Sequence, residues 1–82
     1  MTENKLLNRL GAYLNLSAKR RKKKADELEK IIRKIRKKER ALIAERRNAG
    51  KGKKREMLEK RYLILRAQRM KGLKALKKIK QK

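Results

Sequence analysis

The sequence predicts an all-α protein in which a short amphipathic N-terminal helix precedes a long antiparallel helical hairpin, similar to a coiled coil. Two observations predict this fold. Leu, Ile and Tyr recur at steps of three and four residues, which is the period of one helix face. A short loop containing Gly50 and Gly52 separates two such periodic segments. At 82 residues the chain has room for one small domain.

The first element is predicted within residues 1–16. Leu6 and Leu10 belong to an apolar stripe with helical spacing that ends at Leu14. Thr2 is a candidate N-cap residue for this helix. Asn15 and Ser17 then mark a break and a new cap, so a second helix is expected to begin there.

The second element is predicted as one long helix over residues 17–48. Its apolar stripe is interrupted by polar residues at Arg21 and Glu39. A helix of this length measures about 45 Å at 1.5 Å per residue. The core residues expected on it are Leu28, Ile32, Ile35 and Leu42.

The third element is predicted over residues 53–80, after a Gly-containing loop at residues 49–52. Gly accepts the left-handed backbone conformation that closes a helix. Because the loop is short, the two long helices should lie antiparallel. Arg69 interrupts the stripe of this helix. Its expected core residues are Leu58, Tyr62, Leu65 and Leu76.

Four consecutive apolar residues, Tyr62–Leu65, cover most of the circumference of the third helix. One neighbouring helix cannot bury all of them. Either the first helix folds over this point or a second copy of the chain packs there. We favour the second alternative and expect a homodimer or a higher oligomer.

The charge of the chain predicts a polyanionic partner. Lys and Arg number 31 and Asp and Glu eight, which gives a net charge of +23. All the acids except Glu3 lie between Asp26 and Glu59, and none follows Glu59. Solvated helix faces ordinarily mix Lys with Glu, so faces without acids indicate binding to nucleic acid.

The candidate phosphate-binding residues lie along the polar sides of both long helices and around the loop, over a rod of about 40–45 Å. They are Arg20, Arg21, Lys23, Lys24, Lys30, Arg33, Lys34, Lys37, Arg40, Arg46, Arg47, Lys51, Lys53, Lys54, Arg55, Lys60, Lys71, Lys74 and Lys78.

Double-stranded DNA is the favoured ligand, bound through its phosphates with little dependence on sequence. Recognition of single strands uses aromatic side chains that stack on bases. The only aromatic residues, Tyr13 and Tyr62, both lie on apolar stripes. An architectural, nucleoid-associated role is therefore expected. The first alternative is binding to structured RNA or the ribosome. The second is a coiled-coil adaptor for an acidic protein or an anionic membrane.

Several function classes are disfavoured by composition. The chain has no Cys and no His, so zinc sites and the common nucleophile–base pairs of enzymes are not expected. We expect no enzymatic activity, cofactor or small-molecule substrate. No apolar run approaches the roughly 20 residues of a membrane span. A cytoplasmic protein is predicted, associated with the nucleoid if DNA is the ligand.

Overall fold

The computed structural model describes residues 3–80, and in this range the chain is all-helical, as predicted. It forms α1 (Glu3–Leu14), α2 (Ala18–Lys23), α3 (Ala25–Ala49) and α4 (Lys53–Lys80). The two long helices, α3 and α4, pack together. Thr2, the predicted cap of α1, lies outside the described residues.

Ion pairs define how α3 and α4 lie against each other. Near the loop, Arg46 Nη1 lies 3.7 Å from Glu59 Oε1. At the far end, Lys80 Nζ lies 3.0 Å from Glu29 Oε1. Residue numbers rise along one helix as they fall along the other, so the two helices run in opposite directions. The molecule measures 46 × 21 × 15 Å.

Helix α1 packs against both long helices, over the half of the hairpin that lies away from the loop. At Gly72 of α4, a Cβ atom would lie 3.2 Å from Ile32 Cγ1 and 3.4 Å from Leu10 Cδ1. Gly72 therefore permits a close approach of three helices at one point. Nearby, Arg9 of α1 lies 3.8 Å from Glu27 of α3.

The core lies between the three longer helices and consists mainly of Leu and Ile. The core residues expected from the sequence are buried, except for Tyr62 and Leu76, which are half-buried and pack against the others. Tyr13, Ile31 and Ala75 are also buried. Burial of the periodic stripe removes apolar surface from water and provides the main driving force for this arrangement.

The predicted long helix over residues 17–48 is wrong in one respect, because the structure breaks it at Lys24. Lys24 has φ −109° and ψ 26°, which separates α2 from α3. Its N–H contacts the carbonyls of both Arg20 and Arg21, at 3.1 and 3.3 Å. The Tyr13 hydroxyl also donates to the Arg21 carbonyl, at 2.5 Å. Insertion of a side chain into the helical hydrogen-bond ladder is a known cause of such breaks.

The other helix ends follow local chemistry. Ser17 caps α2, and its hydroxyl accepts from the Arg20 N–H at 3.4 Å. Helix α3 extends to Ala49, one residue beyond the predicted end, so the loop begins at Gly50. Gly50 and Gly52 have φ values of 69° and 132°, which residues with a Cβ rarely adopt.

The apolar run of α4 is only partly buried. Leu65 is buried, whereas Leu63 and Ile64 are each 53% exposed. Helix α1 packs at Gly72 and does not bury them. Within one chain, the outer side of α4 at this point therefore presents apolar surface to solvent.

The polar interruptions of the two facing stripes contact each other. Arg69 Nε donates to Glu39 Oε2 at 2.5 Å, and Arg69 Nη2 donates to Glu39 Oε1 at 3.3 Å. The Glu39 side chain is 4% exposed and that of Arg69 is 16% exposed. The two residues form a buried, bidentate ion pair within the apolar core.

Candidate nucleic-acid interface

A cationic surface lies on the side of α3 opposite its buried stripe, and two of its members, Lys34 and Lys37, also line a shallow pocket with Leu6 of α1. We call this surface the outer face. Buried residues of α3 recur on the opposite side of the helix, which fixes the direction of the outer face. Its members are all exposed and are Lys30, Arg33, Lys34, Lys37 and Arg40.

The only acid between Lys30 and Ala44 is Glu39. Because Glu39 is buried against Arg69, its carboxylate does not reach the outer face. The segment therefore presents only positive charge to solvent. The sequence already places Glu39 on the apolar stripe, and the structure adds that Arg69 binds it there.

A second group of candidate residues surrounds the hairpin loop, and we call it the loop cluster. Most of its members are exposed, and one is half-buried because it pairs with Glu59. The members are Arg46, Arg47, Lys51, Lys53, Lys54 and Arg55. Arg46 lies about 32 Å along the helix axis from Ala25, the first residue of α3, so this cluster and α2 lie at opposite ends of the molecule.

The third group lies at the other end of the molecule, where α2 and the last turns of α4 form a cleft. The cleft has a volume of about 680 Å³, and its lining includes Leu14 and Ala75. We call it the α2–α4 cleft. Its cationic lining residues are Arg21, Lys71, Lys74, Lys77 and Lys78.

The remaining candidates are exposed but are not brought into these groups. Arg20, Lys23 and Lys24 lie on or next to α2, and Lys60 lies on α4. The structure thus divides the predicted continuous surface into an outer face, a loop cluster and a cleft.

At least four of the eight acids of the chain neutralise cations at helix contacts. Glu27, Glu29, Glu39 and Glu59 each pair with a cation from another helix. The hydrogen bond and charge of Lys80 hold the pKa of Glu29 below its ordinary value of 4.5. The excess cations therefore remain on the surfaces that these pairs leave uncovered.

Neither tyrosine offers an exposed ring for stacking. Tyr13 is 3% exposed, and burial raises the pKa of its phenol above the ordinary value of 10.0. Tyr62 is half-buried against the core. The chain has no other aromatic residue, and its exposed Lys and Arg side chains are of the type that can contact phosphates.

No helix in the described range is long and apolar enough to cross a membrane. Among residues 3–80, no three acids come together in a way that could hold a metal ion. A comparison of the chain with protein-family models, curated proteins and solved structures finds no significant match.

Sequence reasoning missed two features of these surfaces. It did not include Lys77, which lines the α2–α4 cleft. It noted that Arg21 interrupts the apolar stripe but grouped it with the surface cations, whereas its Nε is buried and has no hydrogen-bond partner within the described chain. The available signal was the position of Arg21, which occupies a core position in the apolar stripe.

Proposed function

We propose that the protein is an architectural protein that binds double-stranded DNA through backbone phosphates, with little dependence on base sequence. The outer face of α3 is the main contact surface. The loop cluster and the α2–α4 cleft extend it toward the two ends of the molecule. A nucleoid-associated location in the cytoplasm belongs to this proposal.

The observation that carries the proposal is the burial of Glu39. A carboxylate on the outer face would repel phosphate and would pair with neighbouring cations. Instead it is directed into the core and bound by Arg69. The five cations of the outer face consequently have no acid among them.

The dimensions of the outer face suit a duplex. Lys30 and Arg40 are ten positions apart, or about 15 Å along the helix axis, and a duplex of that length carries about nine phosphate charges. Five phosphate contacts would give a slope of log affinity against log salt of about −4.5. Contacts by the other two groups would steepen it to between about −6 and −9, the range for seven to ten contacts.

We further propose that a second copy of the chain packs against the outer side of α4. Leu63 and Ile64 are exposed there, and Met70 is 47% exposed one to two turns further on. The net charge of +23 opposes association of free chains. Neutralisation by DNA phosphates lowers this repulsion, so the proposed oligomer forms most readily on the duplex.

Charge reversal on the outer face tests the proposal. In the variant Arg33→Glu/Lys37→Glu, two phosphate contacts are lost, so the salt slope should become shallower by about 1.8. Affinity for a labelled duplex at low salt should also fall sharply, because two anions now face the phosphates. Fluorescence anisotropy across a salt series measures both quantities.

The matched control is Lys19→Glu/Arg66→Glu, which changes two exposed cations away from the outer face. Both variants reduce the net charge from +23 to +19, because two cations become two anions. The control should keep the wild-type salt slope. Equal losses in the two variants would show that total charge, and not the outer face, governs binding, and would overturn this assignment.

A further inference from the structure

The α2–α4 cleft has an unusual lining, because five cations converge there without an acid. One comes from α2 and four from the last turns of α4, and none belongs to α3. Like charges held close together repel one another, and an anion between them removes the repulsion. The cleft is also separate from the outer face, which consists only of α3 residues.

Arg21 gives the cleft a specific anchor. Its Nε is buried and has no hydrogen-bond partner among the described residues, although guanidinium groups away from water are normally bound. Its backbone is fixed by the Tyr13 hydroxyl, which donates to the Arg21 carbonyl. Arg21 lines the cleft, and among the described residues no carboxylate forms an ion pair with it.

We infer that the α2–α4 cleft is a phosphate-binding site in which Arg21 is the principal ligand and Lys71, Lys74 and Lys78 supply further positive charge. The planar guanidinium binds two oxygens of one phosphate, a geometry that a lysine ammonium does not provide. The assignment of this phosphate to a nucleic-acid backbone rests on the proposed function.

The cleft gives the protein a second contact surface besides the outer face of α3. A molecule that binds phosphates of one duplex segment through α3 can hold a phosphate of another segment, or of the same segment further along, in the cleft. Bridging or wrapping of DNA by a single chain follows from this arrangement, whereas the outer face of a single chain allows only coating.

The experiment is a titration of the full-length protein with sodium tripolyphosphate at constant ionic strength, followed by ¹H–¹⁵N correlation spectra. The Arg21 Nε–Hε signal is assigned by its absence in Arg21→Lys. It should shift and saturate, together with the amides of residues 71–78. In Arg21→Gln the tripolyphosphate concentration at the titration midpoint should rise about ten-fold, which is the loss of affinity expected when a hydrogen bond to a charged group is removed. Arg21→Lys should recover only part of this loss.

The matched control is Arg66→Gln, an exposed arginine of α4 outside the cleft, whose midpoint should equal that of the wild type. If Arg21→Gln loses helix by circular dichroism, Lys71→Gln/Lys74→Gln replaces it, because both lysines are exposed. Shifts that do not saturate, or that are equal for Arg21 and the outer face, would overturn the inference.

A second arm with labelled duplex DNA separates this inference from the proposed function. If both hold, Arg21→Gln makes the salt slope shallower by about 0.9. If the wild type fails to bind duplex but tripolyphosphate saturates the cleft, the proposed function fails, and the ligand is a free phosphate compound. If the wild type and Arg21→Gln bind duplex DNA with equal salt slopes and the Arg21 signal does not respond to tripolyphosphate, the cleft is not a phosphate-binding site and the proposed function stands.

Discussion

Removal of Arg69 should destabilise the protein far more than removal of an exposed arginine of the same helix. In Arg69→Leu, the Glu39 carboxylate, only 4% exposed, loses its partner inside an apolar core. Removal of one member of a buried ion pair costs about 3–5 kcal/mol. In a domain of this size, 1 kcal/mol corresponds to about 4–8 °C in Tm, so we expect Tm to fall by at least about 12 °C.

The reverse change should cost less. In Glu39→Leu, Arg69 remains without a partner, but its side chain is 16% exposed and is long enough to bring its charge to solvent. We expect a loss of about 1–2 kcal/mol. The double variant Glu39→Leu/Arg69→Leu should lie within about 1 kcal/mol of the wild type or above it, because apolar pairs often replace buried ion pairs without loss.

Urea and thermal unfolding followed by circular dichroism, at fixed pH and salt, measure all three variants. Arg66→Leu serves as the control, and as an exposed substitution it should change stability by no more than about 0.5 kcal/mol. A loss below about 1 kcal/mol for Arg69→Leu would refute the reasoning. So would a double variant whose loss equals the sum of the two single losses, since the pair would then be energetically uncoupled.

Three further predictions concern glycines and titrating groups. Gly11→Ala should raise the free energy of unfolding in urea by about 0.5–1 kcal/mol, because the added Cβ meets nothing within 4 Å. Gly72→Ala should raise it less or lower it, because the added Cβ lies 3.2 Å from a core isoleucine. In a Tyr62→Phe variant, the absorbance titration of Tyr13 should have its midpoint above 10.0, because burial raises that pKa. Because the pKa of Tyr13 is higher in the folded than in the unfolded state, this contribution to stability is fully present below the unfolded-state pKa and is lost as pH rises through the folded-state pKa. A titration midpoint at or below 10.0 would contradict the burial argument. The pKa of Glu29 lies below 4.5, so its stabilisation is present above that pH and is lost as pH falls through the folded pKa. In Glu29→Gln, Tm should therefore fall less steeply as the pH is lowered below 4.5. An unchanged fall would argue against the ion pair between Glu29 and Lys80.

The fold class could be predicted from the sequence because the apolar period is strong. Leu28, Ile32 and Ile35 recur at helical spacing, and the structure buries all three. The turn at Gly50 and Gly52 could also be predicted, since both residues adopt positive φ values. These features depend on local chemistry and on periodicity, which a single sequence contains.

The break at Lys24 could not be predicted in the same way. It accompanies a hydrogen bond between the Tyr13 hydroxyl and the Arg21 carbonyl, eight residues apart. That contact exists only when α1 has folded back toward the start of α3. Local propensity favours a continuous helix here, and the tertiary contact outweighs it.

The pair between Glu39 and Arg69 was detectable but required one more step. Each residue interrupts an apolar stripe, and the two have opposite charges. A hairpin with its turn at Gly50–Gly52 places these two positions opposite each other. Polar interruptions at the same level of two facing stripes therefore indicate a buried pair, which in turn shows which acids are absent from the surface.

The outer face of α3 could be located from the sequence, because it lies opposite a clear apolar stripe. The α2–α4 cleft could not, since its shape depends on where α1 and α2 pack beside the end of α4. Binding of DNA by either surface stays a prediction.

Competition for a labelled DNA duplex across a salt series tests the central claim most directly. The competitors are unlabelled duplex DNA, single-stranded DNA and structured RNA at equal phosphate concentration. The account predicts that duplex DNA competes best at each salt concentration, with a slope between about −6 and −9. Structured RNA that competes ten-fold better would contradict the account and favour an RNA or ribosome partner. Equal competition by all three, with a slope near −2, would contradict it in favour of a protein or membrane partner.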